Sequence, residues 1–199
     1  MSENNHIQNI WKNFQSGDKE AFAWIYNLYV DVLFRYGNKL CQDEGFVKDS
    51  IQEVFLDLYL KRYKNKTNPE NLKFYLILAL KRNLIKKLKW NRMMVDEDST
   101  NDHFFEPGYN IENTIIEQEE NEEINRRVSK ALIQLPSKQK EIIYLRFNES
   151  LEYSEIARLL NISIESGRKQ VYRALKKIRE SFGNETFIFW LLSSKKNNY

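Results

Sequence analysis

The chain has a single cysteine, Cys41, and two histidines, His6 and His103, set far apart in polar sequence. One thiol excludes a disulfide framework and a thiolate metal cage, and the two histidines have no metal-ligand spacing, so neither a metal nor another cofactor is expected. Only three prolines and six glycines punctuate the 199 residues. No alternating strand pattern bounded by turn residues is present, while runs of Leu, Ile, Lys, Glu, Asn and Arg favour helix throughout. Long hydrophobic runs are missing too. The longest, Phe187 to Leu192, is far too short to span a bilayer, and the start MSENNHIQNIWK lacks the basic-then-apolar order of a secretory signal. These absences predict an all-α, cytoplasmic protein with no membrane insertion. No nucleophile and base cluster and no Gly-rich phosphate loop is visible either, so an enzyme is not expected.

What is present is apolar material and segregated charge. A hydrophobic content of 42% with 14% aromatics is ample for one domain or two small ones. From Asp96 to Glu123 there are eleven acidic residues and no Lys or Arg; removing them from the net +3 leaves +14 on the rest. With Pro107 and Gly108 inside it and little helical periodicity, this acidic stretch reads as a flexible linker, residues 93–121, between two helical domains. It either solvates the connection, or mimics a polyanion in a nucleic-acid channel, or shields the basic domains until a partner is present. The predicted domains are residues 1–92 and 122–182, followed by a tail, 183–199, whose apolar run has no assigned role.

The segment SLEYSEIARLLNISIESGRKQVYRALKKIR, Ser150 to Arg179, reads as two short helices around a tight turn. Ile156, Ala157, Leu159 and Leu160 form the apolar side of the first, Asn161 and Ile162 make the turn, and Ser163 is placed to cap the second. The second helix is expected to bury Val171, Leu175 and Ile178, leaving Arg168, Lys169, Tyr172, Arg173, Lys176 and Arg179 on other faces. Seven Lys and Arg face one acid, Glu165, between Arg158 and Arg179. A basic second helix in such a pair suits the DNA major groove.

In the first domain, Asp18 is placed as an N-cap, and apolar residues from Ala21 to Tyr36 repeat at helical spacing until Gly37. A second helix, about Glu44 to Tyr63, is expected to bury Val47, Ile51, Val54, Phe55 and Leu58. Asp49, Gln52, Glu53 and Asp57 then share an outer face. From Lys61 to Arg92 the character inverts, with eleven Lys and Arg against Glu70 alone. A polar loop around Pro69 leads into a helix whose basic side is interrupted by Tyr75 and Trp90. Cations for phosphates and flat rings for unstacked bases are what single-stranded nucleic acid needs.

On these motifs the chain resembles the extracytoplasmic-function sigma factors of the sigma-seventy family over nearly its whole length. VKDSIQEVFLDLY resembles the core-binding motif, with Asp49, Gln52, Glu53 and Phe55 in the matching positions. FYLILALKRNLIKKL resembles the end of the promoter-melting domain, with Arg82 and Asn83 as the matching pair. LIQLPSKQKEIIYLRFNESLEYSEIARLLNIS followed by RKQVYRALKKIR resembles the second domain, from Leu135 and Pro136 through Glu155, Ile156 and Ala157.

The resemblance implies that the first domain grips the beta-prime clamp helices of core RNA polymerase through Asp49, Gln52, Glu53 and Phe55. It implies contact with the melted minus-ten element through Lys64, Asn65, Lys66 and Asn68 in the loop, and through Tyr75, Arg82, Asn83, Lys86 and Trp90 on the helix after it. The second domain would meet the beta flap and read the minus-thirty-five element as duplex through Ser166, Arg168, Lys169, Tyr172 and Arg173. Two departures from the family pattern stand out: Gly167 where an apolar residue is usual, and Lys87 where Asp is common. Gly167 would soften the start of the reading helix, so a companion DNA-bound protein, like an anti-sigma factor, is an expected further partner. The alternative from another class is a one-component helix-turn-helix regulator with a helical sensing or dimerisation domain.

Overall fold

The computed structural model describes the backbone of residues 3–64, 71–95 and 130–182. All regular structure among them is helical, and the chain divides into two units, Met1–Asp102 and His103–Tyr199. The acidic stretch, the tail and the loop residues Asn65, Lys66 and Asn68 lie outside the described residues, apart from 93–95 at the end of a helix.

The first unit contains α1 (Glu3–Ser16), α2 (Lys19–Leu40), α3 (Glu44–Leu60), a 3-10 turn (Arg62–Lys64) and α4 (Leu72–Val95). Helices α2, α3 and α4 pack on one another, while α1 packs on α2 and the 3-10 turn. Two aspartates start the bundle helices: Glu20 N–H donates to Asp18 at 2.9 Å and Phe46 N–H donates to Asp43 at 3.0 Å. Each cap satisfies an amide that the first helical turn would leave unpaired. Trp11, Phe14, Ile25, Leu33, Tyr36, Ile51, Leu58, Leu76, Leu80 and Leu84 fill the interior.

One helix is added here, and two sequence expectations change. Helix α1, which the sequence reading did not place, carries Trp11 and Phe14 into the core on the apolar side formed with Ile7 and Ile10. It ends at Gly17, whose φ of +100° costs a residue without Cβ little, and Gly17 N–H donates to Phe14 O at 3.0 Å. Helix α2 does not stop at Gly37 but runs on to Leu40, with Cys41 N–H donating to Gly37 O. Gly37 is an approach point instead: a Cβ there would lie 2.5 Å from Val47 Cγ1, so α2 and α3 meet closely because the side chain is absent. Finally, α3 ends at Leu60, and the last residues expected in it form the 3-10 turn.

In the second unit a helical stretch over 130–133 precedes α5 (Ser137–Ile143), which passes into a π-helical turn (Tyr144–Asn148). Helices α6 (Tyr153–Leu160) and α7 (Ile164–Phe182) follow. Leu132, Ile142, Leu145, Leu151, Ile156, Leu159, Val171, Ala174 and Ile178 form the core. Helix α7 buries Ala174 where Leu175 was expected; Leu175 is only half-buried at the edge of the apolar arc. Buried Glu149 accepts a hydrogen bond from Tyr144 Oη at 2.7 Å, which satisfies a carboxylate that would otherwise be costly to bury.

Candidate functional site

The two short helices of the second unit pack as the sequence suggests, with α7 against both α5 and α6. Asn161 takes the left-handed conformation that closes α6, and Ser166 N–H donates to Ser163 Oγ at 3.1 Å to open α7. At the other end of α6, Glu152 N–H donates to the Glu155 carboxylate at 2.8 Å. The apolar arc of α7 faces inward, so Arg168, Lys169, Tyr172 and Arg173 stand exposed together, Tyr172 at 69%. Ser166 is half-buried and sits at the margin of this surface. Lys169 pairs with Glu165 at 2.7 Å, one turn away. Gly167 is buried, and α7 runs through it with Gly167 N–H donating to Ser163 O at 2.9 Å. Its missing side chain would meet only Ile162 Cδ1, at 3.9 Å.

In the first unit the outer face of α3 carries Asp49, Gln52 and Glu53, all exposed. Phe55 does not belong to it. It is 2% exposed, with its ring 4.7 Å from Tyr26 and 6.3 Å from Phe22. The apolar members of that face are Leu56, 57% exposed, and Leu60, 65% exposed, which the sequence reading missed. Their signal was spacing: with Asp49 and Gln52 they recur at three and four along one helical side. Glu53 is also tied inward. Asn83 Nδ2 donates to it at 2.9 Å and Lys87 Nζ pairs with it at 2.8 Å, and these two contacts hold its pKa below the ordinary carboxylate value. Lys87 additionally donates to buried Ser50 at 3.4 Å. The residue that departs from the usual pattern thus joins α4 to α3.

The same contact removes Asn83 from the surface expected to meet DNA. It turns toward α3, whereas its neighbour Arg82 is exposed on the stripe that also holds exposed Lys86 and Trp90, the latter at 61%. Tyr75 starts that stripe and is half-buried, and burial raises its hydroxyl pKa above the ordinary value. Lys64 is exposed at the end of the 3-10 turn. That turn is braced by Arg62, whose guanidinium lies 4.2 Å from the ring centroids of both Tyr59 and Tyr63 and donates to Tyr59 O and Tyr63 Oη, each at 2.8 Å. The chain therefore presents an acidic and leucine-bearing face on α3, a cationic and aromatic stripe on α4, and a basic α7 in a helix-turn-helix.

Among the described residues no helix is long and apolar enough to cross a membrane. These features define an all-helical class of protein with a basic helix-turn-helix and a separate exposed acidic and apolar helix face. The sigma-70 region 4 family model matches residues 125–178, which contain α5, α6 and most of α7. The extracytoplasmic-function RNA polymerase sigma factor SigW of Bacillus subtilis (strain 168) is 20% identical over 173 residues, covering 85% of this chain and 92% of that protein. Among solved structures, sigma factor RpoE of Bartonella quintana, in complex with the anti-sigma factor NepR, has the same fold. Its TM-score is 0.55 at 18% identity, covering 82% of this chain and 98% of the other. CnrH in complex with the cytosolic domain of CnrY gives 0.54 at 15% identity, over 86% and 94%. Residues 125–178 thus match sigma-70 region 4, and over most of its length the chain is similar to an extracytoplasmic-function sigma factor. Its role is accordingly in transcription initiation, and the one-component regulator alternative gives way to it.

Proposed function

We propose that the chain docks on core RNA polymerase through the exposed side of α3, with Asp49, Gln52, Leu56 and Leu60 as the contacting residues. The observation that carries this assignment is the continuous stripe they form, acidic at one end and apolar at the other, on a helix whose opposite side is wholly committed to the core. Glu53 shapes the stripe from within, since its carboxylate is already held by Lys87 and Asn83. Arg82, Lys86 and Trp90 on α4, with Lys64, would then follow the melted minus-ten strand. Arg168, Lys169, Tyr172 and Arg173 on α7 would meet the minus-thirty-five duplex. Residues 93–121 serve in this reading as the acidic connection between the two domains. The protein acts in the cytoplasm as a regulator without catalytic chemistry of its own. An anti-sigma factor is a fitting partner because the RpoE structure is a complex with one.

The test is co-purification with core polymerase. Asp49→Lys combined with Leu56→Asp should abolish association while circular dichroism keeps its helical signal, because neither side chain supports the core. Undiminished association would remove the assignment of this face.

A further inference from the structure

The cation at the head of the reading helix is held in an unusual way. Arg168 Cζ lies 5.6 Å from the ring centroid of Tyr153, the first residue of α6. Among the described residues Arg168 makes no ion pair, whereas the adjacent Lys169 is drawn to Glu165 at 2.7 Å. The ring is also met from the preceding π-helical turn, where Arg146 Cζ lies 4.9 Å from the same centroid. Arg146 in turn donates to Leu151 O at 2.8 Å and pairs with Glu152 at 3.3 Å.

The chemistry of the two kinds of restraint differs. A carboxylate that positions an arginine does so by accepting its N–H groups, and so consumes the donors that would otherwise read a base. An aromatic face attracts the guanidinium through the ring quadrupole and leaves the donors free. A guanidinium held in this way can place two parallel N–H groups on the O6 and N7 acceptors of guanine in the major groove.

We infer that Tyr153 is a positioning residue for Arg168, holding the guanidinium against its ring so that the donor edge is presented to a base of the duplex. This rests on the proposed reading of duplex DNA by α7. It adds a residue of α6, outside the reading helix, to the determinants of sequence preference. Arg146 then acts one step further back, as the group that keeps the Tyr153 ring in place.

The test uses the full chain bound to core polymerase and a pool of randomised duplex DNA, sequenced before and after selection. Arg168→Ala should erase a base preference at one position of the selected sites, by about tenfold. Tyr153→Leu should weaken the preference at that same position by about three- to fivefold, and Tyr153→Phe, which keeps the ring, should preserve it. In the Arg168→Ala background Tyr153→Leu should change nothing further. Selected sequences unaffected by Arg168→Ala would overturn base reading by this arginine and the inference with it. If Arg168→Ala erases the preference but Tyr153→Leu leaves it intact, or lowers binding equally in the Arg168→Ala background, α7 reads DNA and the positioning role is wrong.

Discussion

Replacing Gly37 by alanine should destabilise the first unit, whereas the same replacement at Gly167 should stabilise the second. Both glycines lie inside helices, so both substitutions carry the same intrinsic gain of about 1 kcal/mol in helix propensity. Their surroundings decide the sign. A Cβ on residue 37 would sit 2.5 Å from Val47 Cγ1, against the roughly 3.5–4.0 Å at which carbon atoms rest. About 1 Å must be recovered by separating α2 from α3 or turning Val47, and overpacking of that kind costs about 1–3 kcal/mol. Because two packed helices must move together, the cost should fall toward the upper end, leaving a net loss of about 1–2 kcal/mol. At residue 167 the nearest neighbour is Ile162 Cδ1 at 3.9 Å, an ordinary contact, so about 0.5–1 kcal/mol should be gained. Urea unfolding of the full chain separates the two effects. Three of the four tryptophans, Trp11, Trp24 and Trp90, fall in the first unit, so fluorescence follows that unit while circular dichroism follows total helix. A loss of that size lowers the fluorescence midpoint by about 0.5–1 M. Adding Val47→Ala to Gly37→Ala should reveal coupling of about 1 kcal/mol or more, since the second change removes the atom that the first collides with. A raised fluorescence midpoint for Gly37→Ala would refute the close approach of α2 and α3 at Val47.

Three other outcomes are expected. Phe55→Ala should cost about 3–5 kcal/mol of stability, while Leu56→Ala should leave stability within about 0.5 kcal/mol and weaken polymerase association in a pull-down. Because Lys87 and Asn83 lower the Glu53 pKa, its contribution to stability should be fully present above the unfolded carboxylate value of about 4.3 and be lost as pH falls through the lower folded value. Acid titration of wild type and Glu53→Gln should therefore converge at low pH and differ by a constant amount between neutral and mildly alkaline pH. Arg82→Ala with Lys86→Ala should reduce permanganate reactivity of promoter bubbles on duplex templates more than on pre-melted ones, because these cations help to hold a strand whose unpairing must first be met. The same double change should leave the urea midpoint nearly unmoved, since both side chains are exposed.

The order of elements and their type were legible in the sequence because each rests on local chemistry. Asp18 caps α2, Asn161 and Ser163 make the turn between α6 and α7, and the apolar repeat of α7 selects its buried side. Charge segregation likewise needed no structure, since clusters of like charge along one segment stay near one another in any fold. The limits of each apolar arc were not legible. A helix turns by about 100° per residue, so Phe55 and Leu56, Arg82 and Asn83, or Ala174 and Leu175 differ by one step at the edge of an arc, and only the neighbouring helix decides which is covered. Packing against α2 took Phe55 inward and left Leu56 on the exposed face; Glu53 across the α3–α4 contact drew Asn83 off the basic stripe. Helix α1 was legible too, since Ile7, Ile10, Trp11 and Phe14 recur at helical spacing, but its link to the rest of the bundle runs through contacts such as Phe14 with Phe22 that only the fold brings together. Gly37 reads as a stop in one dimension and is a contact in three. The sequence by itself determined an all-helical chain with a helix-turn-helix and alternating charge, since propensity, capping and periodicity act within a few residues. Tertiary structure alone decided which side chains remain free to meet polymerase or DNA, since exposure depends on how near another helix comes, and that distance is set by residues far away in the chain.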